Sequence, residues 1–84
     1  MEIFHVVDFY LGNISSDECL LKARNVNDKF FVDLQEFQAY YYIAEYYLFH
    51  KNRIKAKEYF EQCIKKDFKF HWEYKLAKIE LERL

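Results

Sequence analysis

The chain has 84 residues, enough for one small domain, and its composition is unusually aromatic, with 9 Phe, 8 Tyr and 1 Trp. With no Pro and 1 Gly it lacks the turn residues of an all-β protein, so an all-α fold is favoured. The net charge of −1 argues against a strongly basic nucleic-acid-binding protein. No apolar run reaches the roughly 20 residues of a membrane span.

The N-terminus is acidic where a signal peptide would be basic, because Glu2 follows Met1. We therefore expect a cytoplasmic protein with no exported form. The two cysteines, Cys19 and Cys63, are far apart in the sequence and are typical of reduced, structural thiols.

The charge is distributed unevenly. Residues 1–50 carry eight acidic and three basic residues, whereas residues 51–69 carry three acidic and seven basic ones. Opposite charges on the two parts of the chain could attract two copies to each other, or attract a charged partner.

A first helix is predicted over residues 3–11. Gly12 is placed to end it, because glycine readily adopts the left-handed conformation after a helix C-terminus. The pattern predicts that five apolar residues of this helix face inward: Ile3, Phe4, Val7, Tyr10 and Leu11.

A second helix is predicted to start at Ser15, whose side chain can cap it while Glu18 reaches back in a capping box, with Ile14 as a hydrophobic staple. This helix continues to about Asn25. After it, Asn27 is a candidate cap for the next helix. Residues 28–36 are either a short helix or the first turns of a longer one, and the sequence leaves both open.

Apolar side chains recur at helical spacing through residues 37–68, with one interruption at His50–Arg53. This pattern predicts two helices, over residues 37–49 and 54–66. A connection of about four polar residues predicts an antiparallel hairpin. A final helix is predicted over residues 71–84. The expected apolar positions of the hairpin are Phe37, Tyr40, Tyr41, Ala44, Tyr47 and Leu48, followed by Ile54, Ala56, Tyr59, Phe60, Cys63 and Ile64.

Within this hairpin, Tyr40, Ile43, Ala44 and Tyr47 match the W-x2-L-G-x2-Y order of a tetratricopeptide repeat with conservative replacements. Ala56 and Phe60 follow as A-x3-F. The hairpin therefore resembles a tetratricopeptide repeat, in which small residues bring two helix backbones close together and aromatic side chains fill the space beside them.

The period of about 34 residues also recurs, because Tyr74, Ala77 and Leu81 follow Tyr40, Ile43 and Tyr47 by one period. Three positions depart from the pattern. Lys51 replaces a turn glycine, so that either Lys51 or, at lower cost, Asn52 would be left-handed. Phe68 replaces the closing proline, and Lys78 replaces a small residue, which makes residues 71–84 a capping helix.

Residues 5–84 resemble the last repeat region of bacterial tetratricopeptide adaptors of the "new lipoprotein I" type. The similarity lies in residues 6–15, 39–48 and 56–60 and in Glu73-Tyr74 with Ala77, Glu80-Leu81 and Leu84. The resemblance implies an all-α fold of antiparallel helix hairpins with about five helices. It also implies a bacterial, protein-binding scaffold, often homodimeric, with no catalytic residues and no cofactor.

One domain over residues 1–84 is expected, with a partial hairpin over 1–36, the repeat hairpin over 37–68 and the capping helix over 71–84. Not all tyrosines of the third helix can face inward, so some are expected at an interface with a protein partner or a second copy. The candidate partner-binding residues are Tyr42, Tyr46, Phe49 and Trp72.

Two other kinds of site are weaker. His5, His50 and His71 lack the spacing of a helical metal site, and helix-interior cysteines are normally unreactive, so neither a metal centre nor an enzyme is expected. The alternative function is a small nucleic-acid-binding regulator that uses the basic segment 51–69. Its candidate residues are Lys51, Arg53, Lys55 and Lys57.

Overall fold

A computed structural model describes residues 3–24 and 28–84, with side chains from residue 6 onward. These residues form five α-helices, which are α1 (Ile3–Tyr10), α2 (Ser16–Ala23), α3 (Lys29–Phe49), α4 (Arg53–Lys65) and α5 (Trp72–Arg83). No strand is present in these two ranges. The prediction of an all-α fold with about five helices is confirmed.

Local signals fix the end of α1 and the start of α2 as predicted. Gly12 is left-handed, with a φ of 81°. The N–H groups of Gly12 and Asn13 donate to the carbonyls of Phe9 (3.0 Å) and Asp8 (2.9 Å), which are the two bonds of a Schellman motif. At the start of α2, the Ser15 hydroxyl accepts from the Glu18 N–H at 3.1 Å and the capping box is complete.

The N-cap residue of α3 is not the residue that was predicted. Asp28 is the N-cap residue, and its carboxylate accepts from the Phe30 N–H at 2.8 Å. The predicted cap Asn27 lies outside the described residues. From Lys29 the helix continues without a break for 21 residues, so residues 28–36 belong to the first turns of the long helix.

Helix α3 also ends in a Schellman motif, at the start of the connection to α4. Lys51 is its left-handed residue, with a φ of 62°. The Asn52 N–H donates to the Tyr47 carbonyl at 2.8 Å. Asn52 is not left-handed because its side chain caps α4 instead, accepting from the Lys55 N–H at 3.2 Å.

Helices α3 and α4 pack as the predicted antiparallel hairpin. Ala44 and Ala56 are both fully buried and lie in one core cluster with Phe37, Phe60 and Ala77. After the end of α4, the ammonium of Lys66 reaches back to the start of α3, where it contacts Asp33 at 3.2 Å and Glu36 at 3.4 Å. These contacts are possible only if the two helices run in opposite directions.

One predicted core position of α4 is wrong. Ile54 is 76% exposed, because it lies in the first turn of α4 and points away from α3. The face of the helix that is buried begins one turn later, at Ala56.

The predicted inward face of α1 is also wrong. Val6 and Phe9 are buried against α2 and α3, whereas Val7, Tyr10 and Leu11 are exposed. Apolar residues occupy all but two positions of this eight-residue helix, more than one face can hold, so the docking of α2 and α3 decides which of them are buried. The predicted positions Ile3 and Phe4 have side chains outside the described set.

Helix α3 is the centre of the arrangement, because it packs against each of the other four helices. Within the described chain, α1 and α5 both pack on α3 but not on each other. The surface of α3 between them is therefore left open, and it forms the floor of a groove.

Candidate partner-binding groove

Four residues spaced three or four positions apart share the open face of α3. They are Tyr42, Glu45, Tyr46 and Phe49. The opposite surface of the helix buries Phe37 and Ala44 against α4. Tyr42 and Tyr46 are half-buried, and Phe49 is 83% exposed. Three of the four predicted partner-binding residues therefore lie together on this surface.

Between α1 and the C-terminal end of α3 the groove deepens into an open cleft of about 440 Å³. Its walls are rings: the centroid of Tyr46 lies 5.4 Å from that of Tyr10 and 4.2 Å from that of His50. The Tyr10 hydroxyl donates to the Tyr42 carbonyl at 2.7 Å, which fixes α1 against α3 at this point. The cleft is lined by Tyr10, Glu45, Tyr46, Phe49 and His50.

Trp72, the fourth predicted residue, lies on the α5 side of the same groove. Its ring contacts those of Tyr41 and Tyr42 edge to face, with centroids 5.4 Å and 6.3 Å apart. Trp72 remains 52% exposed. We call the continuous surface from Trp72 to the cleft the aromatic groove; it consists of Tyr10, Tyr42, Glu45, Tyr46, Phe49, His50 and Trp72.

Sequence reasoning missed Tyr10, Glu45 and His50 as members of the groove. Glu45 could have been found, because it lies three residues after Tyr42 and four before Phe49 and therefore shares their helical face. Tyr10 could not, because its position depends on how α1 docks. His50 was considered only as a possible metal ligand.

Two carboxylates, those of Glu45 and Glu73, affect the tyrosines along the groove. Burial and the neighbouring carboxylate of Glu45 raise the pKa of Tyr10 to about 12, and the same two causes raise the pKa of Tyr41. For Tyr42, burial and the carboxylate of Glu73 raise the pKa. Burial also raises the pKa of Glu45 itself, against the lowering effect of its contact with the Tyr41 hydroxyl.

Glu73 lies beneath this surface, between α5 and α3, and is only 2% exposed. The amide nitrogen of Gln38 donates to its Oε2 at 3.3 Å. The Oε1 atoms of both side chains are buried without a hydrogen-bond partner among the described residues. Because carboxylates are normally exposed, the helical pattern of residues 71–84 did not predict that Glu73 would be buried.

The four residues of the predicted basic patch, Lys51, Arg53, Lys55 and Lys57, are all exposed. Two of them contact the protein itself. The Arg53 guanidinium donates to the Arg83 carbonyl at 3.1 Å, and the Lys55 ammonium lies 5.1 Å from the centre of the Tyr47 ring. The patch is therefore a solvated surface beside the end of α3, not part of the groove.

Both cysteines are fully buried and reduced. Burial raises the pKa of Cys19 to about 11, and burial together with the carboxylate of Glu73 raises that of Cys63 to about 12. A thiol that stays protonated is a poor nucleophile, so neither residue has the character of a reactive cysteine. Among the described side chains, no three His, Cys, Asp or Glu residues are grouped to hold a metal ion.

Comparison with known proteins leaves the groove as the main source of functional information. The chain matches no protein-family model, no curated protein and no solved structure. In the part of the chain that the structure describes, no helix combines the length and apolar character needed to cross a bilayer.

Proposed function

We propose that this protein is a non-catalytic, protein-binding scaffold of the tetratricopeptide-repeat type, and that it associates with itself through the aromatic groove. The observation that carries the proposal is the groove itself. Tyr10, Phe49 and Trp72 are exposed on this open surface, and Tyr42 and Tyr46 lie half-buried between it and the core clusters. Aromatic residues in such a position are enriched at protein interfaces.

The packing of the helices supports the repeat-type part of the proposal. Three alanines, Ala44, Ala56 and Ala77, meet in one buried cluster formed by α3, α4 and α5. Small residues at these contacts allow the close helix spacing that stacked hairpins use. A short stack also leaves its terminal and groove surfaces uncovered, because each repeat buries its faces only against neighbours.

Phe49 supports the self-association part. A phenylalanine that is 83% exposed at the mouth of a cleft leaves apolar surface in water, and a second copy would remove it. Because the same surface is present on both copies, a two-fold dimer would bury it twice.

Sedimentation velocity over a micromolar concentration range tests the proposal. We expect the wild type to be dimeric and Phe49→Ser to shift toward monomer while melting like the wild type, because the side chain makes few internal contacts. Ile54→Ser is the matched control, since Ile54 is 76% exposed but lies on α4 outside the groove. A wild type that is monomeric throughout, or two variants that dimerise equally well, would refute self-association through this surface.

The structure favours this proposal over nucleic-acid binding by segment 51–69. The aromatic residues interleaved with the basic ones, Tyr59, Phe60 and Phe68, are buried or half-buried and pack in the core. They are not available to stack on bases, as single-strand binding requires. A filter-binding titration against salt would reveal phosphate contacts as a steep loss of affinity.

A further inference from the structure

Helix α5 has an exposed apolar edge beside its buried side. The buried side consists of Glu73 and Ala77, which pack toward α3 and α4. Leu76 and Ile79 are 39% and 43% exposed, and together with Trp72 they follow one edge of the helix at helical spacing. Because Trp72 is already part of the aromatic groove, this edge is continuous with the surface that we assign to self-association.

The aromatic groove is too small to form a stable interface by itself. A specific protein interface uses about 20–30 residues on each side, several times the number that form the groove. A dimer must therefore cover surface next to the groove as well. The exposed edge of α5 provides apolar surface at that place.

The spacing along this edge is the same in both directions of the chain. Trp72, Leu76, Ile79 and Arg83 are separated by four, three and four positions. An alternation of three and four is the spacing at which one helix packs along another. A pattern that is unchanged when it is reversed fits a second copy of itself that runs in the opposite direction, which is the arrangement that a two-fold axis perpendicular to the helix produces.

The antiparallel arrangement also places complementary groups opposite each other at the two ends of the edge. When Leu76 lies opposite Ile79 of the second copy, Arg83 lies opposite Trp72 of the second copy. The Arg83 side chain is 72% exposed and the Trp72 ring is exposed as well, so a guanidinium can pack on the indole of the other chain.

A pair of opposite charges on the rim of the edge follows the same rule. Lys75 and Glu82 are both exposed, and neither forms a salt bridge among the described residues. Within one chain they are separated by two helical turns, about 10 Å along the axis, which is too far to pair. Antiparallel packing brings Lys75 within one turn of Glu82 of the second copy, whereas parallel packing would place two lysines against each other.

We propose that α5 pairs antiparallel with α5 of a second copy, across a two-fold axis between Leu76 and Ile79. This inference rests on the proposed function and adds to it the helix that lies at the axis. The end of α3 that carries Phe49 is close to this contact, because Arg53, at the start of the next helix, donates to the Arg83 carbonyl. The pairing therefore directs the Trp72 end of the second copy toward Phe49 of the first.

Sedimentation equilibrium of charge-reversed variants tests the pairing. Lys75→Glu and Glu82→Lys each place like charges opposite each other twice in the dimer, and each should raise the dimer Kd about tenfold. The double variant Lys75→Glu/Glu82→Lys exchanges the two charges and should return the Kd to the wild-type value. Lys57→Glu, which changes the net charge equally but lies exposed on α4, is the control and should leave the Kd unchanged.

Unchanged dimerisation of either single variant, or a double variant that does not recover, would overturn the antiparallel pairing. The Phe49→Ser variant separates this failure from that of the proposed function. A dimer that is weakened by Phe49→Ser but not by the charge reversals uses the groove in another arrangement, so that the inference fails and the proposed function stands. A wild type that is monomeric at every concentration refutes both.

Discussion

Replacing Glu73 by glutamine should stabilise the protein, which is unusual for a substitution at a buried position. In the wild type, Gln38 donates one hydrogen bond to Glu73, and the Oε1 atoms of both side chains have no donor among the described residues. A glutamine at position 73 adds an NH₂ group where one of these acceptors stood. The two amides can then form two reciprocal hydrogen bonds, each donating to the other's oxygen.

The magnitude follows from the groups involved. A buried acceptor without a donor costs about 1–3 kcal/mol, and a new hydrogen bond contributes about 1 kcal/mol. Since Glu73 is 2% exposed, solvent screens the change little. Allowing for imperfect amide geometry, we expect Glu73→Gln to raise the free energy of unfolding by about 1–2 kcal/mol, and the melting temperature of a domain of this size by about 4–8 °C per kcal/mol.

Urea denaturation followed by circular dichroism measures this difference. Glu82→Gln is the matched control, because Glu82 lies on the same helix but is exposed, and its effect should stay within about 0.5 kcal/mol. A Glu73→Gln variant that is less stable than the wild type, beside an unchanged Glu82→Gln, would contradict this prediction. It would show that the Oε1 atom of Glu73 has a donor in solution, such as a buried water.

Two further predictions concern backbone strain and pH. Lys51→Gly should raise the free energy of unfolding by about 0.5–1 kcal/mol, because Lys51 is left-handed with a φ of 62°. Lys57→Gly, the same change within α4, should lower the free energy of unfolding by about as much. If both variants shifted the melting temperature in the same direction, the backbone strain assigned to Lys51 would be contradicted. Burial raises the pKa of Glu45 in the folded protein above its ordinary value of 4.5. The protonated side chain therefore favours folding below pH 4.5, and this stabilisation is lost as the pH rises through the pKa that Glu45 has in the folded protein. Glu45→Gln should therefore stabilise the protein at neutral pH and have less effect below pH 4.5, and a difference in unfolding free energy that does not change with pH would count against this.

The sequence predicted the features that depend on residues close together in the chain. The end of α1, the start of α2, the break between α3 and α4, and the buried alanines 44 and 56 were all predicted. Each rests on a local rule, such as a glycine after a helix or a serine paired with a glutamate three residues later. The excess of tyrosines on α3 likewise indicated that Tyr42 and Tyr46 could lie at an interface.

The tertiary structure decided which apolar surfaces are covered and what surrounds the groove. The inward face of α1 and the exposure of Ile54 depend on the docking of one helix against another, which the spacing of apolar residues within a single helix does not specify. The contact of Tyr10 with Tyr42, the burial of Glu73 beside Gln38 and the convergence of Trp72 on Tyr41 join residues about 30 or more positions apart. Periodicity describes one helix at a time, whereas the groove takes its shape from the packing of α1 and α5 on α3.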